Sequence, residues 1–312
     1  MMKDTRKPFI FVGDIHLRTA NPRAWKISYL DECMKHLEYI GQLATEVNAE
    51  CVVLGGDLGH EPDWRMSLLN RVTRLFERYP CPIISAIGNH DVDNRASSTF
   101  EESGLWNLAN QKIVHVPESG ASVRAGCWEF HVFHCDTEEC AKLVAGQWPA
   151  PVDRDYLHVA VAHAPVGLKA TPSIKAIDSV LTPGFHVACF ADIHDGWPTR
   201  LLKSQTVAIN PGILERMSIA EKDQKPAVVV IWPDLKVHLS MMPNALSPKD
   251  IFLPAFLSEK EVNSSLGTQF LDKLEEMTVS QDMTDEERIR TVAESMQMGE
   301  QVVNMVLTTC TR

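Results

Sequence analysis

The chain lacks the features that mark several large classes of protein. No apolar run approaches the length of a membrane span, and the apolar stretch before Gly13 is too short for the core of a signal peptide. The eight cysteines include no CxxC pair, and several lie in apolar, strand-like runs, as reduced core cysteines do. We therefore expect a cytoplasmic protein that is not bound to a membrane.

The chain also lacks the excess of basic residues that is common in nucleic-acid-binding domains. It has 30 lysines and arginines against 41 aspartates and glutamates, which gives a net charge of −11. A basic face would attract a nucleic acid through bulk electrostatics, and this composition gives no sign of one. Any nucleic-acid partner must therefore be inferred from the chemistry of a site.

What the chain does have is a set of apolar, strand-like runs that end in polar residues. They are FIFVGDIH, CVVLGGDLGH, IISAIGNHD, LHVAVAH and VACFADIH. In open α/β sheets the carboxyl ends of the strands present chemistry to a crevice. The side chains collected in this way are Asp14, His16, Asp57, Asn89, His90, His163, Asp192 and His194.

This set suits a pair of divalent cations. Two ions about 3.5–4 Å apart need a carboxylate that can bridge them and nitrogen or oxygen donors for each. Carboxylate, amide and imidazole without thiolate favour Mn²⁺, Fe or Zn²⁺ over Mg²⁺ or Ca²⁺. The sequence therefore predicts a two-metal site at the ends of several strands.

The hydrophobic pattern predicts an α/β protein with two packed sheets. Apolar residues at three- and four-residue steps predict one helix from Asn21-Pro22 to Val47 and another over residues 64–78, between strands. Ser98 to Glu101 has capping-box spacing and predicts a short helix through Leu108. From residue 113 to 135 short strands follow one another, which predicts a second sheet packed on the first. The expected fold is a two-sheet sandwich flanked by helices.

The end of the chain reads as a small helical appendage. Residues 247–254 have the composition of a linker, and two capping-box patterns follow, at Ser258 to Glu261 and Thr284 to Glu287. We therefore expect a catalytic domain over residues 1–254 and a helical region over residues 255–312. That region is a candidate element for partner docking or for capping the domain.

The strings GDIH, GGDLGH, GNHD, VAH and ADIH resemble the five ordered motifs of the calcineurin-like metallophosphoesterases, and the likeness covers roughly residues 9–232. The resemblance implies a two-sheet metallophosphoesterase sandwich and hydrolysis by a metal-bridging hydroxide. It also implies two metal sites that share Asp57, one with Asp14, His16 and His194, the other with Asn89 and His163. His90 would be the general acid at the leaving oxygen, a role that suits an imidazole near neutral pH.

One position departs from the family pattern. The last motif of the family is GHxH, whereas this chain has Ala191-Asp192-Ile193-His194, so Asp192 stands where an imidazole ligand of the second ion is expected. A carboxylate can bind Mn²⁺ or Fe, and it weakens the case for a softer metal. The expected cofactor is therefore a pair of divalent ions, with Mn²⁺ first and Fe or Zn²⁺ as alternatives.

Within this superfamily the chain is most similar to the SbcD-type DNA exonucleases, the bacterial and phage relatives of the meiotic-recombination nuclease. GGDLGH places His60 where those enzymes have a second active-site histidine, and AINPGILERM resembles their NPGS-L-R segment. The similarity implies a phage- or host-encoded DNA exonuclease or endonuclease of repair, recombination or replication. It also implies a homodimer that works with an SbcC-type coiled-coil ATPase subunit.

Three alternatives stay open from the sequence. A phosphoprotein or nucleotide phosphatase of the same superfamily fits the acidic charge, and a degenerate phosphoesterase that serves as a scaffold fits Asp192. A zinc cluster of His131, His134, Cys135 and Cys140 is disfavoured, because the spacing matches no common zinc finger and the two histidines lie on opposite faces of a strand.

Overall fold

The computed structural model describes residues 6–92, 100–254, 256–257 and 290. The chain divides into two compact units, Met1–Ile251 and Phe252–Arg312. The named helices and strands lie in the first unit. The two capping boxes predicted near the end of the chain lie outside the described residues, so the helical appendage and its boundary at residue 254 stay predictions.

The first half of the unit alternates strands and helices as predicted. The elements are β1 (Phe9–Val12), α1 (Tyr29–Glu46), β2 (Val52–Leu54), α2 (Met66–Phe76) and β3 (Ile83–Ser85). β1, β2 and β3 pair in parallel, and every residue in them is buried. Such fully buried strands are typical of a parallel sheet that is covered on both faces.

The predicted start of α1 at Asn21-Pro22 is wrong, whereas α2 lies within the predicted range. α1 begins at Tyr29, and the hydroxyl of Ser28 caps it by accepting a hydrogen bond from the amide of Asp31. Asn21 instead closes a turn, because its side chain donates to the carbonyl of Ile27 and accepts from the amide of Tyr29. Side-chain hydrogen bonds of this kind favour turns over helices.

The second half of the unit is rich in strands. It contains α3 (Gly104–Asn110), β4 (Ser122–Ala125), β5 (Trp128–Phe133), α4 (Glu138–Val144), β6 (Leu157–His163), β7 (Val166–Gly167), β8 (Lys175–Ala176), β9 (Val187–Ala191), β10 (Trp197–Leu201), β11 (Val207–Asn210), β12 (Ala227–Ile231), β13 (Val237–Met241) and α5 (Pro248–Ile251). Short 3-10 turns occur at Phe100–Glu102, Ile177–Ser179 and Ile219–Glu221.

Two predicted elements of this half differ from the structure. The run at 112–116 forms only an isolated bridge between His115 and Ile84, not a strand. α3 is capped by Ser103, whose hydroxyl accepts from the amide of Trp106, while the predicted capping residue Ser98 lies outside the described ranges.

Two large sheets pack face to face, which confirms the predicted sandwich. In the described residues one sheet has the order β13-β12-β1-β2-β3, and the other has the order β10-β11-β9-β6-β5-β4. A single apolar core fills the space between them. Phe9 of the first sheet meets Trp128 and Phe130 of the second edge to face, with ring centroids 4.8 and 5.0 Å apart.

The two sheets bring the polar strand ends to one place. β1, β2 and β3 run parallel in one sheet, and β5, β6 and β9 run parallel in the other. The amide of Asp192, just after β9, donates to both carboxylate oxygens of Asp14, just after β1, at 3.1 Å.

No described helix has the length and apolar character needed to cross a membrane.

Candidate metal centre

Four predicted ligands of the first ion form one cluster, in which only His194 is partly exposed. Asp14, His16 and Asp57 place their ligand atoms within 4.8 Å of one another. The Nε2 atom of His16 lies 3.0 Å from Nε2 of His194 and 3.5 Å from Oδ2 of Asp57. Asp14 and His16 are fully buried and Asp57 nearly so. Two imidazoles and two carboxylates therefore converge from three different strand ends.

The predicted ligands of the second ion converge on His163. Its Nδ1 atom lies 3.0 Å from the carbonyl oxygen of Gly55, and a carbonyl only accepts, so Nδ1 is the donor. The Nε2 atom points the other way, towards the side-chain oxygens of three residues: Asn89 at 3.0 Å, Asp57 at 3.6 Å and Asp192 at 3.6 Å. Asp57 belongs to both clusters, and Asp192 lies with the second.

The electrostatics of this cluster fit divalent cations. Burial raises the pKa of Asp57 to about 8 and also raises the pKa of Asp14, because a buried carboxylate without a cation is costly. Burial and the neighbouring His194 hold the pKa of His16 well below its usual value, so this ring is neutral and able to donate a lone pair. The Nδ1 atom of His16 is buried without a hydrogen-bond partner. Metal ions supply the positive charge that these carboxylates lack.

The backbone around these ligands is unusual. His16, Asp57 and Asp192 have φ values of 52°, 50° and 87°, a region that residues other than glycine rarely enter. Gly88 lies so close that a Cβ atom there would be 2.0 Å from Oδ1 of Asp57. Strained backbone of this kind clusters at functional sites. The fold therefore holds these side chains in place at the cost of local strain.

Comparison with known proteins agrees with this geometry. The model of the calcineurin-like phosphoesterase family matches residues 7–183. The chain belongs to the calcineurin-like phosphoesterase family. Its members are metal-dependent phosphoesterases, so hydrolytic phosphoesterase chemistry and divalent-metal binding follow for this chain. No curated protein sequence gives a significant match.

Solved structures that match this chain include two from named organisms. One is the protein TT1561 of Thermus thermophilus, with 10% identity, and the other is a dimetal phosphatase from Danio rerio, with 12% identity. Each alignment has a TM-score of 0.44 and covers 76% of this chain and 99% of the other.

In this phosphoesterase two further histidines stand beside the first-ion cluster. His60 and His90 stack with ring centroids 5.2 Å apart and planes at 17°, and the ring of His90 lies 4.7 Å from that of His16. The Nδ1 atom of His90 lies 2.8 Å from the carbonyl oxygen of His60 and must donate to it. The fold therefore brings His60, His90 and the first-ion ligands together, and one ligand atom from each of His16, His60 and His90 lies within 4.8 Å of the others.

Glu221 was missed by the sequence analysis. Its Oε1 atom lies 2.7 Å from Nδ1 of His194, and its Oε2 atom accepts from the amides of Met217 and Ser218 at 2.7 and 2.9 Å. Burial is the largest single influence on the pKa of His194 and lowers it, but the hydrogen bond to Glu221 and the negative charges of Asp14, Glu221 and Asp57 together outweigh burial and raise that pKa. A carboxylate bonded to the far nitrogen of a histidine orients the ring for metal binding.

Asp91, the last residue of GNHD, was also missed. It is buried, and its two carboxylate oxygens accept from the amides of Gly59 and Gly88 at 3.2 and 3.0 Å. These bonds join the loop after β2 to the loop after β3. Asp91 therefore positions the two segments that carry Asp57 and His90.

Residues 211–214, which follow β11, also support the metal centre through backbone hydrogen bonds. The amide of Leu214 donates to the carbonyl of Asp14 at 2.7 Å, and the amide of Ile213 donates to the carbonyl of His194 at 3.1 Å. Gly212 has a φ of 82°, and a Cβ atom there would lie 2.6 Å from the carbonyl oxygen of His194 and 2.7 Å from the amide nitrogen of Gly196, so a side chain has no room. This segment fixes ligand loops of both sheets.

The disfavoured zinc cluster of His131, His134, Cys135 and Cys140 does not form around His134. The Nε2 atom of His134 lies 2.8 Å from the carbonyl of Pro117, and its Nδ1 atom accepts from the amide of Ile87 at 3.1 Å. Both ring nitrogens are therefore used by the backbone. The seven cysteines in the described residues are all free thiols.

Proposed function

We propose that this phosphoesterase is a two-metal phosphodiesterase that cuts DNA, as an exonuclease or endonuclease of repair, recombination or replication. The observation that carries the proposal is the stacked pair of His60 and His90 beside the first-ion ligands. A phosphodiester has a poor leaving group, an alkoxide, and its departure needs a proton donor at that position. The resemblance of GGDLGH and NPGILER to SbcD-type nucleases supports DNA as the substrate.

Two divalent cations bound by this set would activate a water molecule and offset the charge of the phosphate. Asp14, His16, Asp57 and His194 would hold one, and Asp57, Asn89, His163 and Asp192 the other. The second set has three oxygen donors and one nitrogen, which supports Mn²⁺, or Fe, over a softer ion.

We assign to His90 the transfer of a proton to the leaving oxygen. Its Nδ1 is tied to the carbonyl of His60, and its backbone amide donates to Oδ1 of Asp57 at 2.8 Å. The ring orientation is therefore fixed with Nδ1 occupied, so Nε2 is the nitrogen that would act at the leaving oxygen. Because Nδ1 keeps its proton for the carbonyl of His60, the acid would be the imidazolium form, which carries a second proton on Nε2 and can donate it to the leaving alkoxide near neutral pH.

His60 supports the same step as a neutral group. Burial and the nearby charge of Arg18 lower the pKa of His60 to about 4, so its ring is uncharged near neutral pH. A neutral imidazole can donate one hydrogen bond to a phosphate oxygen without adding a second positive charge beside the ions. We infer that His60 stabilises the transition state and that His90 supplies the proton.

A second candidate function is a phosphatase that acts on a phosphoprotein or a nucleotide. A cleft of about 830 Å³ adjoins Asn89, His163 and Asp192, and its acidic lining includes Asp136 and Glu138. Its lysine, Lys175, donates to the carbonyl of Val144. A cleft of this character does not attract a long polyanion such as DNA through its charge, which favours a substrate that presents only one or a few phosphate groups.

Cleavage assays on the full chain separate the two functions. Metal-free protein, reloaded with Mn²⁺, Mg²⁺ or Zn²⁺, is tested on end-labelled single- and double-stranded DNA, on phosphoserine peptides and on dinucleoside polyphosphates, with Asp57→Asn as the inactive control. We expect Mn²⁺-dependent cleavage of DNA that the control lacks. Turnover of the peptides or nucleotides without DNA cleavage would establish the phosphatase instead, and no turnover with full metal loading would point to a scaffold.

We further propose that the enzyme is a homodimer that works with an SbcC-type coiled-coil ATPase. The support is the similarity of its motifs to SbcD-type subunits, whose partners are of this kind. Size-exclusion chromatography with light scattering, alone and with such an ATPase, tests both parts. A monomer that neither binds the ATPase nor responds to it in cleavage assays would exclude this assembly while leaving the nuclease proposal intact.

A further inference from the structure

Three potential metal ligands meet at the amino-terminal end of β6, away from the catalytic centre. Ligand atoms of Glu129, His131 and His158 all lie within 4.8 Å of one another. β6 carries His158 near its start and His163 at its end, so the two places are about 16 Å apart at ~3.3 Å per residue. The catalytic residues described above do not include any of these three side chains.

Strand register creates this cluster. β5 and β6 pair in parallel, with Glu129 opposite His158. Trp128 and Phe130 of β5 lie in the core between the sheets, so the alternate residues Glu129 and His131 point to the other face. Glu129 and His158 are nearly buried there, at 6% and 3% exposure, and His131 is half-buried.

The hydrogen bonds of His158 leave a lone pair at the centre of the cluster. Its Nε2 atom bonds to the carbonyl of Asp153, which can only accept, so Nε2 carries the proton. In the neutral ring Nδ1 is then a bare acceptor. That atom faces Oε2 of Glu129 at 3.3 Å and Nε2 of His131 at 3.4 Å. A histidine whose far nitrogen donates to a backbone carbonyl is oriented as metal ligands are.

Glu129 is oriented in the same way. Its Oε1 atom accepts from Nε of Arg124 at 3.0 Å and from the hydroxyl of Ser122 at 3.2 Å. Arg124 is half-exposed and also binds Asp153, so its charge is shared with a second carboxylate. The other carboxylate oxygen, Oε2, faces the two histidines. One oxygen of the carboxylate is therefore anchored while the other faces the cluster.

The distances from Nδ1 of His158 to the other two ligand atoms match a small tetrahedral ion. With bonds of about 2.0–2.2 Å to nitrogen and oxygen, zinc places neighbouring ligands about 3.3–3.5 Å apart. The two distances are 3.3 Å to Glu129 and 3.4 Å to His131, and the three ligand atoms all lie within 4.8 Å of one another. Two imidazoles and one carboxylate form a recurrent zinc ligand set, with a fourth position left for water.

We propose that Glu129, His131 and His158 form a separate zinc site that joins β5 to β6 at the end of the sheet opposite the catalytic centre. The competing arrangement has no metal: a protonated His158 then forms a simple ion pair with Glu129. The zinc site and the metal-free ion pair predict different zinc contents for the protein. The zinc site does not depend on the proposed nuclease activity, because none of its ligands belongs to the catalytic set.

Zinc stoichiometry of the full chain tests the site. Wild type, Glu129→Gln and His131→Gln are treated with chelator, saturated with Zn²⁺ and desalted. The zinc content of each protein is then measured by elemental mass spectrometry. His238→Gln, which removes an exposed histidine elsewhere, is the matched control. We expect wild type and control to hold one zinc ion more than Glu129→Gln or His131→Gln. Equal zinc content in all four proteins would overturn the site and favour the ion pair.

Ser122→Ala provides a second test that leaves all three ligands in place. It removes one hydrogen bond to the anchored oxygen of Glu129, and loss of such a supporting contact weakens metal binding by roughly 10–100-fold. Competition with a chromogenic zinc chelator measures this affinity in folded protein. If every zinc ion bound by Ser122→Ala has the same affinity as in wild type, the carboxylate of Glu129 is not a ligand and the proposal fails.

Discussion

The carboxylate of Glu221 lies 2.7 Å from Nδ1 of His194, so a residue outside the recognised motifs orients a predicted metal ligand. A Gln at this position has one oxygen and one NH2 group, so it cannot accept both from Nδ1 of His194 and from the backbone amides of Met217 and Ser218. We predict that Glu221→Gln weakens Mn²⁺ binding by roughly 10–100-fold. Calorimetry with Mn²⁺ measures this change.

Two controls complete the Glu221 test. Asp223→Asn changes an exposed carboxylate in the same segment and should bind Mn²⁺ as wild type does. Saturating Mn²⁺ should restore most of the cleavage rate of Glu221→Gln, because the variant keeps every metal ligand. Wild-type Mn²⁺ affinity in Glu221→Gln would mean that His194 does not need this carboxylate for metal binding.

Asp57 makes the stability of metal-free protein depend on pH. Burial raises its pKa from 3.8 to about 8, so the folded state holds this proton more tightly than the unfolded chain does. The stabilisation is fully present below about pH 4 and is lost as pH rises through about 8. We predict that in chelator the free energy of unfolding of wild type falls over this range more steeply than that of Asp57→Asn.

Denaturant unfolding of both proteins, with and without Mn²⁺, measures this difference. Saturating Mn²⁺ should stabilise wild type at high pH, because the ion replaces the lost proton, and should have a much smaller effect on Asp57→Asn. Parallel pH profiles of the two metal-free proteins would contradict the interpretation of Asp57 as an uncompensated buried carboxylate.

Much of the fold and of the candidate ligand set could be predicted because each ligand directly follows an apolar strand. LHVAVAH, for example, corresponds to β6, and it places His163 at the strand end that faces Asp57. The start of α1 was misplaced because two local signals compete, Asn21-Pro22 and the capping residue Ser28. Residues 21–28 form turns because of contacts made by the fold, such as the bond from the amide of Lys26 to the carbonyl of Ile251.

The supporting residues were harder to predict because their roles depend on distant partners. Glu221 acts on His194, 27 residues away in the chain. A local signal was present, since Ser218 and Glu221 have capping-box spacing and form that box in the structure. That pattern predicts the start of a helix, and nothing in it indicates that the second carboxylate oxygen reaches a metal ligand.

His90→Ala separates proton transfer from metal binding. The link from His90 to Asp57 runs through the backbone amide, so the variant keeps that bond and both sets of metal ligands. We predict normal metal content and DNA cleavage slowed by roughly 10²–10⁴-fold, the usual contribution of a general acid. A nitrophenyl phosphodiester, whose leaving group needs no proton, should lose far less. Equal losses on both substrates would exclude His90 as the acid.

Asp192→His tests whether Asp192 helps to bind the second ion. Its Oδ1 atom lies 3.6 Å from Nε2 of His163. Its backbone amide donates a hydrogen bond to the carboxylate of Asp14, a contact that the substitution leaves intact. Histidine is among the residues enriched at positive φ, so the backbone of this position can accept it. Imidazole is a softer donor than carboxylate, so we predict a higher affinity for Zn²⁺ or Fe²⁺ relative to Mn²⁺ at the second site.

The measurement is a competition between Mn²⁺ and Zn²⁺, followed by calorimetry and by the metal content of desalted protein. Asp195→His is the matched control, because it makes the same change on the same loop at an exposed position outside the ligand set. A shift towards Zn²⁺ in Asp192→His alone would place residue 192 in the coordination sphere. An unchanged preference in both variants would place Asp192 outside it, because exchanging a carboxylate ligand for an imidazole changes the donor set and therefore the choice of metal.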